Sequence, residues 1–390
     1  MTATTIGVLG ASGAVGRAAV RALRDLGHTA LRLGGRTEQP LRAVLAEELH
    51  GQGHIRTTDL ADPAALAAFA RGCDLVLNCA GPSYRFGATA ARAALGAGAH
   101  CVDVAGDDPA AENLHDEPPP QLAGHTVVLS AGTLPGLSSL LPRLAARRLD
   151  TADSLTVYCG GLEPCSPTVA ADLLLSLTSG GPEGGAYGEA LAAVRGGRRA
   201  ARVLRAARDA LVPGFPGRVA LVPFLGEETV RLAAALGLER ADWWNVHPGP
   251  RVHALLTSLP AALAAGEEPR LLEERLSRAA GVDLAGRSPY YAMEFRLSGR
   301  AGGRPAERWL RLRTSSSYRL TGAMGALTAD AVARGAVPAG THFACEVLDP
   351  EEVVSGLVAL GAADFLVQDA PPTAAAGRAT GRDEAEEGEL

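Results

Sequence analysis

Three glycines, Gly10, Gly13 and Gly16, fall between a short apolar run and the first amphipathic stretch of this 390-residue chain. Residues 5–9 read as a strand, and Val15, Ala19, Leu23 and Leu26 recur at helical spacing over residues 14–26, up to Gly27. A glycine-punctuated turn at that junction constrains the fold more than any other feature. The first glycine permits a tight turn, the second lets a phosphate approach the backbone, and the third lets helix and strand pack closely. The helix N-terminus then offers free N–H groups to an anion. The same rhythm repeats downstream, with strands expected over 29–33, 54–58, 74–79, 100–104 and 126–130 and helices over 41–49, from Pro63, and over 88–97. Alternating βα units of this length predict an α/β fold, a doubly wound parallel sheet with helices on both faces. The pattern then changes. Residues 154–158 read as a strand, 168–178 and 323–334 as helices, and 291–297 with 309–314 as a β-hairpin, which together predict a second, mixed α/β domain.

The turn names its ligand class. Gly10, Ser12, Gly13, Ala14, Val15 and Gly16 are the expected cradle of a dinucleotide diphosphate. The second strand selects between the two nicotinamide cofactors, because an acid there would bind a ribose 2′-hydroxyl and repel a 2′-phosphate. Residues 29–37 contain no acid; Arg36 follows Gly34 and Gly35, and its guanidinium can pair with a phosphate in two places. NADPH is therefore expected, with Arg32 a weaker second contact. Asp59 ends the third strand, where it either meets the adenine end or, like Asp62, caps the helix opened by Pro63. Asn78, Ala80, Gly81 and Pro82 end the fourth strand in small residues against which a nicotinamide ribose can lie. Tyr84 and Arg85 follow, toward the substrate.

All 37 basic residues are arginine. The absence of lysine removes Schiff-base chemistry, a Gly-Lys-Ser/Thr phosphate loop and a Tyr/Lys proton relay. The six cysteines form no C-x-x-C pair, and His247 and His253 stand six apart, so neither disulfides nor a metal site is expected. A net charge of −6 and 4% aromatic residues argue against a nucleic-acid binder. No apolar run approaches the roughly 20 residues needed to span a bilayer, and the first residues already read as a strand, so a cytoplasmic protein without a membrane anchor is expected. Six arginines between Arg195 and Arg208 line either a helical stripe or a hairpin turning at Gly196-Gly197, and form a solvated face or a dock for something acidic. From residue 371 onward the chain is Ala, Gly, Thr and acidic residues, and is expected to be disordered.

The segments G-A-S-G-A-V-G, L-G-G-R-T, T-T-D-L-A-D, N-C-A-G-P-S-Y-R-F-G and G-A-H-C-V-D-V-A-G-D, in that order, resemble those of the saccharopine dehydrogenase-like NADP-binding reductases. The resemblance covers residues 4–136 and continues as a weaker echo toward residue 350. It implies a Rossmann domain over 1–135, a substrate and dimerisation domain over 136–345, a return segment over 346–370 that packs on the Rossmann domain, and the tail over 371–390. It also implies a homodimer and hydride reduction of a C=N (imine) bond in a small-molecule substrate, which the arginine run would let a carrier protein present. An enoyl (C=C) reductase and a non-catalytic NADP(H)-binding sensor would share the same cofactor motif. In a lysine-free site the proton donor is sought among tyrosine and histidine. Tyr84, His247 and Tyr187 are the candidates, with Asp103 and Asp107 placed to orient a donor or bind an amine and Glu163 a further polar group.

Overall fold

The structure is a computed structural model that describes residues 4–177 and 187–369. Its first part follows the expected rhythm. The strands are β1 (Ile6–Leu9), β2 (Leu31–Gly35), β3 (His54–Thr57), β4 (Leu75–Asn78), β5 (His100–Asp103) and β6 (Thr126–Leu129). Between and after them run α1 (Ala14–Asp25), α2 (Glu38–Leu49), α3 (Pro63–Ala70), α4 (Ser83–Phe86), α5 (Thr89–Gly96), α6 (Asp108–Asp116) and α7 (Leu137–Ala146). The central strands are buried runs such as Ile-Gly-Val-Leu and Leu-Val-Leu-Asn, as a sheet covered on both faces requires, whereas the edge strand β3 is largely exposed.

The second part is built from β7 (Thr151–Leu162), α8 (Pro167–Leu177), β8 (Gly188–Ala190), β9 (Ala193–Arg195), β10 (Arg198–Ala200), β11 (Ala207–Leu211) and β12 (Arg218–Gly226). It continues through α9 (Glu227–Leu236), β13 (Arg240–His247), α10 (Pro250–Ala264), α11 (Pro269–Leu284), β14 (Tyr290–Ala301) and β15 (Arg304–Thr314). The chain closes with α12 (Ser317–Ala333), β16 (Gly340–Phe343), α13 (Ala344–Val347), α14 (Pro350–Ala359) and β17 (Asp364–Gln368).

Seven parallel strands in the order β16-β6-β5-β4-β1-β2-β3 form the Rossmann sheet. The chain switches direction between β1 and β4, which opens the crevice where ligands of such sheets bind. The second sheet is mixed: β13 runs parallel to β7, while β7, β14, β15 and β17 pair antiparallel. One apolar cluster spans both sheets, from Ile6 and Val8 to Leu155, Phe295 and Leu310. Helices α8, α10 and α11 form a separate cap around Leu256, Leu259, Leu272 and Leu276. No helix among the described residues is long and apolar enough to cross a membrane.

The return to the first domain differs from the expectation of residues 346–370. It begins with α12, because Gly322 brings that helix onto the backbone of α1; a Cβ there would stand 2.6 Å from both Ala19 N and Val15 O. β16 then adds to the Rossmann sheet beside β6. β17, inside the expected return segment, instead pairs with β15 of the second sheet. The Arg195–Arg208 stretch is not a helix. Gly196 and Gly197, at φ +57° and +72°, turn the β9–β10 hairpin, a conformation that suits two glycines. The expected acidic tail and most of the 180–188 glycine loop lie outside the described residues.

Candidate active site

The glycine turn lies between β1 and α1. Gly10 has φ +71°, and a Cβ there would stand 2.9 Å from Ala80 N and from the Cys79 carbonyl carbon, so the loop and the end of β4 touch through backbone. A Cβ on Gly16 would stand 2.1 Å from Gly10 O. Gly13 is the N-cap of α1 and has no side chain to cap it. The N–H groups of Ala14, Val15 and Gly16 therefore find no acceptor among the described residues, and Ser12 lies exposed beside them. These orphan donors suit a diphosphate. Arg36 is exposed at the end of β2, with no acid paired to it among the described residues, one strand away from the loop. That is the arrangement a 2′-phosphate requires.

Two neighbouring residues serve the fold instead. Arg32 Nη1 donates to the carbonyls of Phe69 and Arg71, both at 2.6 Å, so it closes the end of α3 and is not a second phosphate contact. Asp62 caps α3, accepting from Ala64 N at 2.9 Å and Ala65 N at 3.1 Å. Asp59 keeps its exposed place at the sheet edge, accepting only from Ala61 N at 3.0 Å.

Beyond β4 the small residues Ala80, Gly81 and Pro82 lead into α4, which carries Ser83 and the half-buried Tyr84. Asn78 and Asp103 shape this floor. Asn78 Nδ2 donates to Asp103 Oδ2 at 2.7 Å, and Asp103 Oδ1 accepts from Ala105 N and Gly106 N at 2.9 and 3.0 Å. Asp103 is 4% exposed, so it organises the turn and does not reach the cleft as a catalytic group. The turn presents Asp107, the N-cap residue of α6. Ser83 Oγ donates to its Oδ2 at 3.3 Å, and its Oδ1 is buried without a well-formed hydrogen bond. Burial pushes the Asp107 carboxyl up to about 6.

The roof comes from the second domain. Thr168 of α8 lies 3.4 Å from where a Gly81 Cβ would be. Asp172, one turn further along α8, is open to cleft water yet hemmed in by protein. Burial first, and then the charge of Asp107, push its carboxyl up to about 7. Asp172 and Glu273 of α11 also act on Tyr84, whose hydroxyl is raised chiefly by burial and so stays protonated at neutral pH. Tyr187 crosses edge-on to Tyr84, with ring centroids 6.4 Å apart, and its hydroxyl donates to Tyr84 O at 3.4 Å. The sequence reading missed Asp172, although one signal was visible: it is the lone charge in the otherwise apolar run of α8.

His247 does not join this group. It ends β13 opposite Ala220, and none of the described contacts links it to Tyr84 or Asp107. Burial and the neighbouring His253 push its imidazole down to about 4, so it is neutral at pH 7 and carries no acidic proton to give. Glu163 is likewise engaged, accepting from the Ser317 amide at 2.9 Å and from the Ser317 hydroxyl at the start of α12. Of the six arginines, Arg195 pairs with Asp242 and Arg199 with Glu227, while Arg198, Arg202, Arg205 and Arg208 are exposed. The six cysteines are free thiols, and no cluster of metal-ligating side chains occurs among the described residues.

Comparisons with known proteins bear on the domain and the fold. Residues 6–132 match the family model of the saccharopine dehydrogenase NADP binding domain. A curated saccharopine dehydrogenase-like oxidoreductase of Rattus norvegicus is 30% identical over 91 residues, a match that spans 21% of this chain and 21% of that protein. The solved structure of apo saccharopine dehydrogenase (L-Glu forming) from Saccharomyces cerevisiae superposes with a TM-score of 0.67 at 14% identity, covering 94% of this chain and 100% of that one. Residues 6–132 are therefore similar to the saccharopine dehydrogenase NADP binding domain, and the two-domain α/β fold as a whole is like that of saccharopine dehydrogenase.

Proposed function

We propose that this protein is an NADPH-dependent oxidoreductase that reduces a C=N bond in a small molecule. The observation that carries the reading is the approach of α8 to the end of β4, with Thr168 3.4 Å from where a Gly81 Cβ would be and Ser83 3.3 Å from Asp107, which brings Asp172 of the second domain within reach of the charge of Asp107, beside Tyr84. NADPH, when bound, supplies the hydride. The chain's part is to hold the phosphates on the α1 amides and Arg36, and to set the charge of the cleft.

That charge favours nitrogen over carbon. An iminium is a cation, and carboxylates facing it from both sides stabilise it and draw it out of water. An enoyl group reduced through an enolate would develop negative charge among the same acids, which would oppose it. A carboxyl with a midpoint near 7 is about half protonated at neutral pH, so Asp172 is suited both to partner the cation and to return a proton to the amine. Tyr84 lies within reach of the charge of Asp172, and Tyr187 packs edge-on against it.

The test is a panel of preformed imines and enones, followed by loss of NADPH absorbance. Turnover of imines that falls on Asp107→Asn and Asp172→Asn, with NADPH affinity unchanged, supports the proposal. Reduction of enones alone would transfer the assignment to C=C bonds. Tight NADPH binding with no turnover on either panel would leave a sensor.

A further inference from the structure

Asp107 is weakly held for a group that must face a substrate. Its one side-chain donor, Ser83, stands at 3.3 Å, its other oxygen makes no well-formed hydrogen bond, and what further hold it has comes from backbone amides of its own turn, chiefly that of Ala110. Its place therefore depends on the backbone at the start of α6. That backbone is gripped from the other domain. Arg231 of α9 forms an ion pair through Nη1 with Asp108, the residue after Asp107. The Arg231 guanidinium lies 3.6 Å above the ring centroid of Phe343, which ends β16, so a third element fixes its plane. One turn earlier on α9, Glu228 accepts from Gly136 N at 2.9 Å and from the Ser138 hydroxyl, holding the loop that leaves β6. A single helix of the second domain thus clamps two loops at the carboxyl edge of the Rossmann sheet.

We propose that Arg231 is a positioning residue, which through Asp108 and Phe343 holds the N-terminal turn of α6 so that Asp107 faces Asp172 across the cleft. The inference rests on the acids being the working groups of the site. A planar, permanently charged guanidinium suits the task because it can stack and pair at once, which a lysine ammonium does less well. The groups acting on the Asp107 carboxyl are the Ala110 amide of its own helix, the Ser83 hydroxyl on α4, Asp103 on β5 and Asp172 on α8, with the Asp108–Arg231 pair next to it in the chain.

Removing Arg231 alone would leave Asp108 as an unpaired anion beside Asp107 and raise its midpoint, confusing the result. The test therefore uses the charge-neutral double variant Asp108→Asn/Arg231→Gln, with the full chain labelled at aspartate Cγ and Asp107→Asn assigning the resonance. With the clamp gone and the charge balance kept, the Asp107 midpoint should fall by about one pH unit toward the ordinary aspartate value as water reaches it. On an imine that the wild-type protein reduces, kcat should fall about tenfold with KM and the NADPH dissociation constant little changed. Arg231→Lys, which keeps the pair but loses the stacking, should show a smaller shift in the same direction, and it serves alone if the double variant does not fold. An unaltered Asp107 midpoint in a folded variant overturns the proposal. If no imine is turned over by the wild type while the midpoint still moves, the assigned reaction fails and the positioning role stands.

Discussion

At the scale of single residues, the cofactor loop and the acid pair make opposite demands on the reader. Gly16 tolerates no side chain, since a Cβ would meet Gly10 O at 2.1 Å, backbone against backbone. Gly16→Ala should lower the unfolding free energy by about 2–4 kcal/mol and abolish NADPH binding, as a thermal melt and calorimetry would show. Arg36→Ala should instead leave the melt unchanged and weaken NADPH by about 1–3 kcal/mol while sparing NADH, because only one charged contact is lost. Equal losses for the two cofactors would disprove the phosphate role. Asp172 gives a pH signature. Its carboxyl titrates at about 7 in the folded chain and near 4 when unfolded, so the native state holds a proton the unfolded chain has released. Stability from this group is full below pH ~4 and lost as the pH rises to ~7. Asp172→Asn should therefore melt like wild type at pH 4 and above it at pH 8, by about 1 kcal/mol once screening by cleft water is allowed for. Gly10, Gly13, Gly16 and Arg36 were legible because their partners lie within one βαβ unit. Asp172 was not, because its meaning depends on Asp107 arriving from another domain, and His247 misled because sequence shows a titratable ring but not its burial.

At the scale of elements, short parallel strands were easy to place and a helix-to-helix contact was not. The apolar runs of β1, β4, β5 and β6 announce themselves, and the hairpin of β14 and β15 shows in its alternation. The arginine stretch after residue 195 has helical periodicity, yet two adjacent glycines at positive φ override it. α12 was foreseen as a helix, but nothing in its own sequence says that it lies on α1. The reason is Gly322, whose missing side chain admits the backbone of Val15 and Ala19. Gly322→Ala, a change usually welcome inside a helix, should here push α12 away from α1 and cost on the order of 2–4 kcal/mol. Because α1 carries the diphosphate amides, NADPH affinity should fall with it. A variant with raised melting temperature and unaltered affinity would show that the two helices do not bear on each other.

For the whole molecule, one apolar cluster runs from the Rossmann strands through α7 and α12 to the inner face of the second sheet, so the two domains share a core. The chain also crosses between them more than once: α12 and β16 return to the first domain, and β17 goes back to the second. Domains joined in this way should unfold together. The tryptophans make the point testable, since Trp243 and Trp244 lie on β13 and Trp309 on β15, all in the second sheet, while the cofactor amides lie in the first domain. NADPH at 100 times its dissociation constant stabilises whatever unfolds with its site by about 2.7 kcal/mol. If the shared core couples the domains, the tryptophan-detected melt should rise with NADPH and coincide with the loss of far-ultraviolet dichroism. A tryptophan midpoint that stays fixed while helical signal gains stability would mean that the domains unfold separately. In that event the Arg231–Asp108 pair would be too weak a link to hold Asp107 in register, because the contacts on either side of it would open independently.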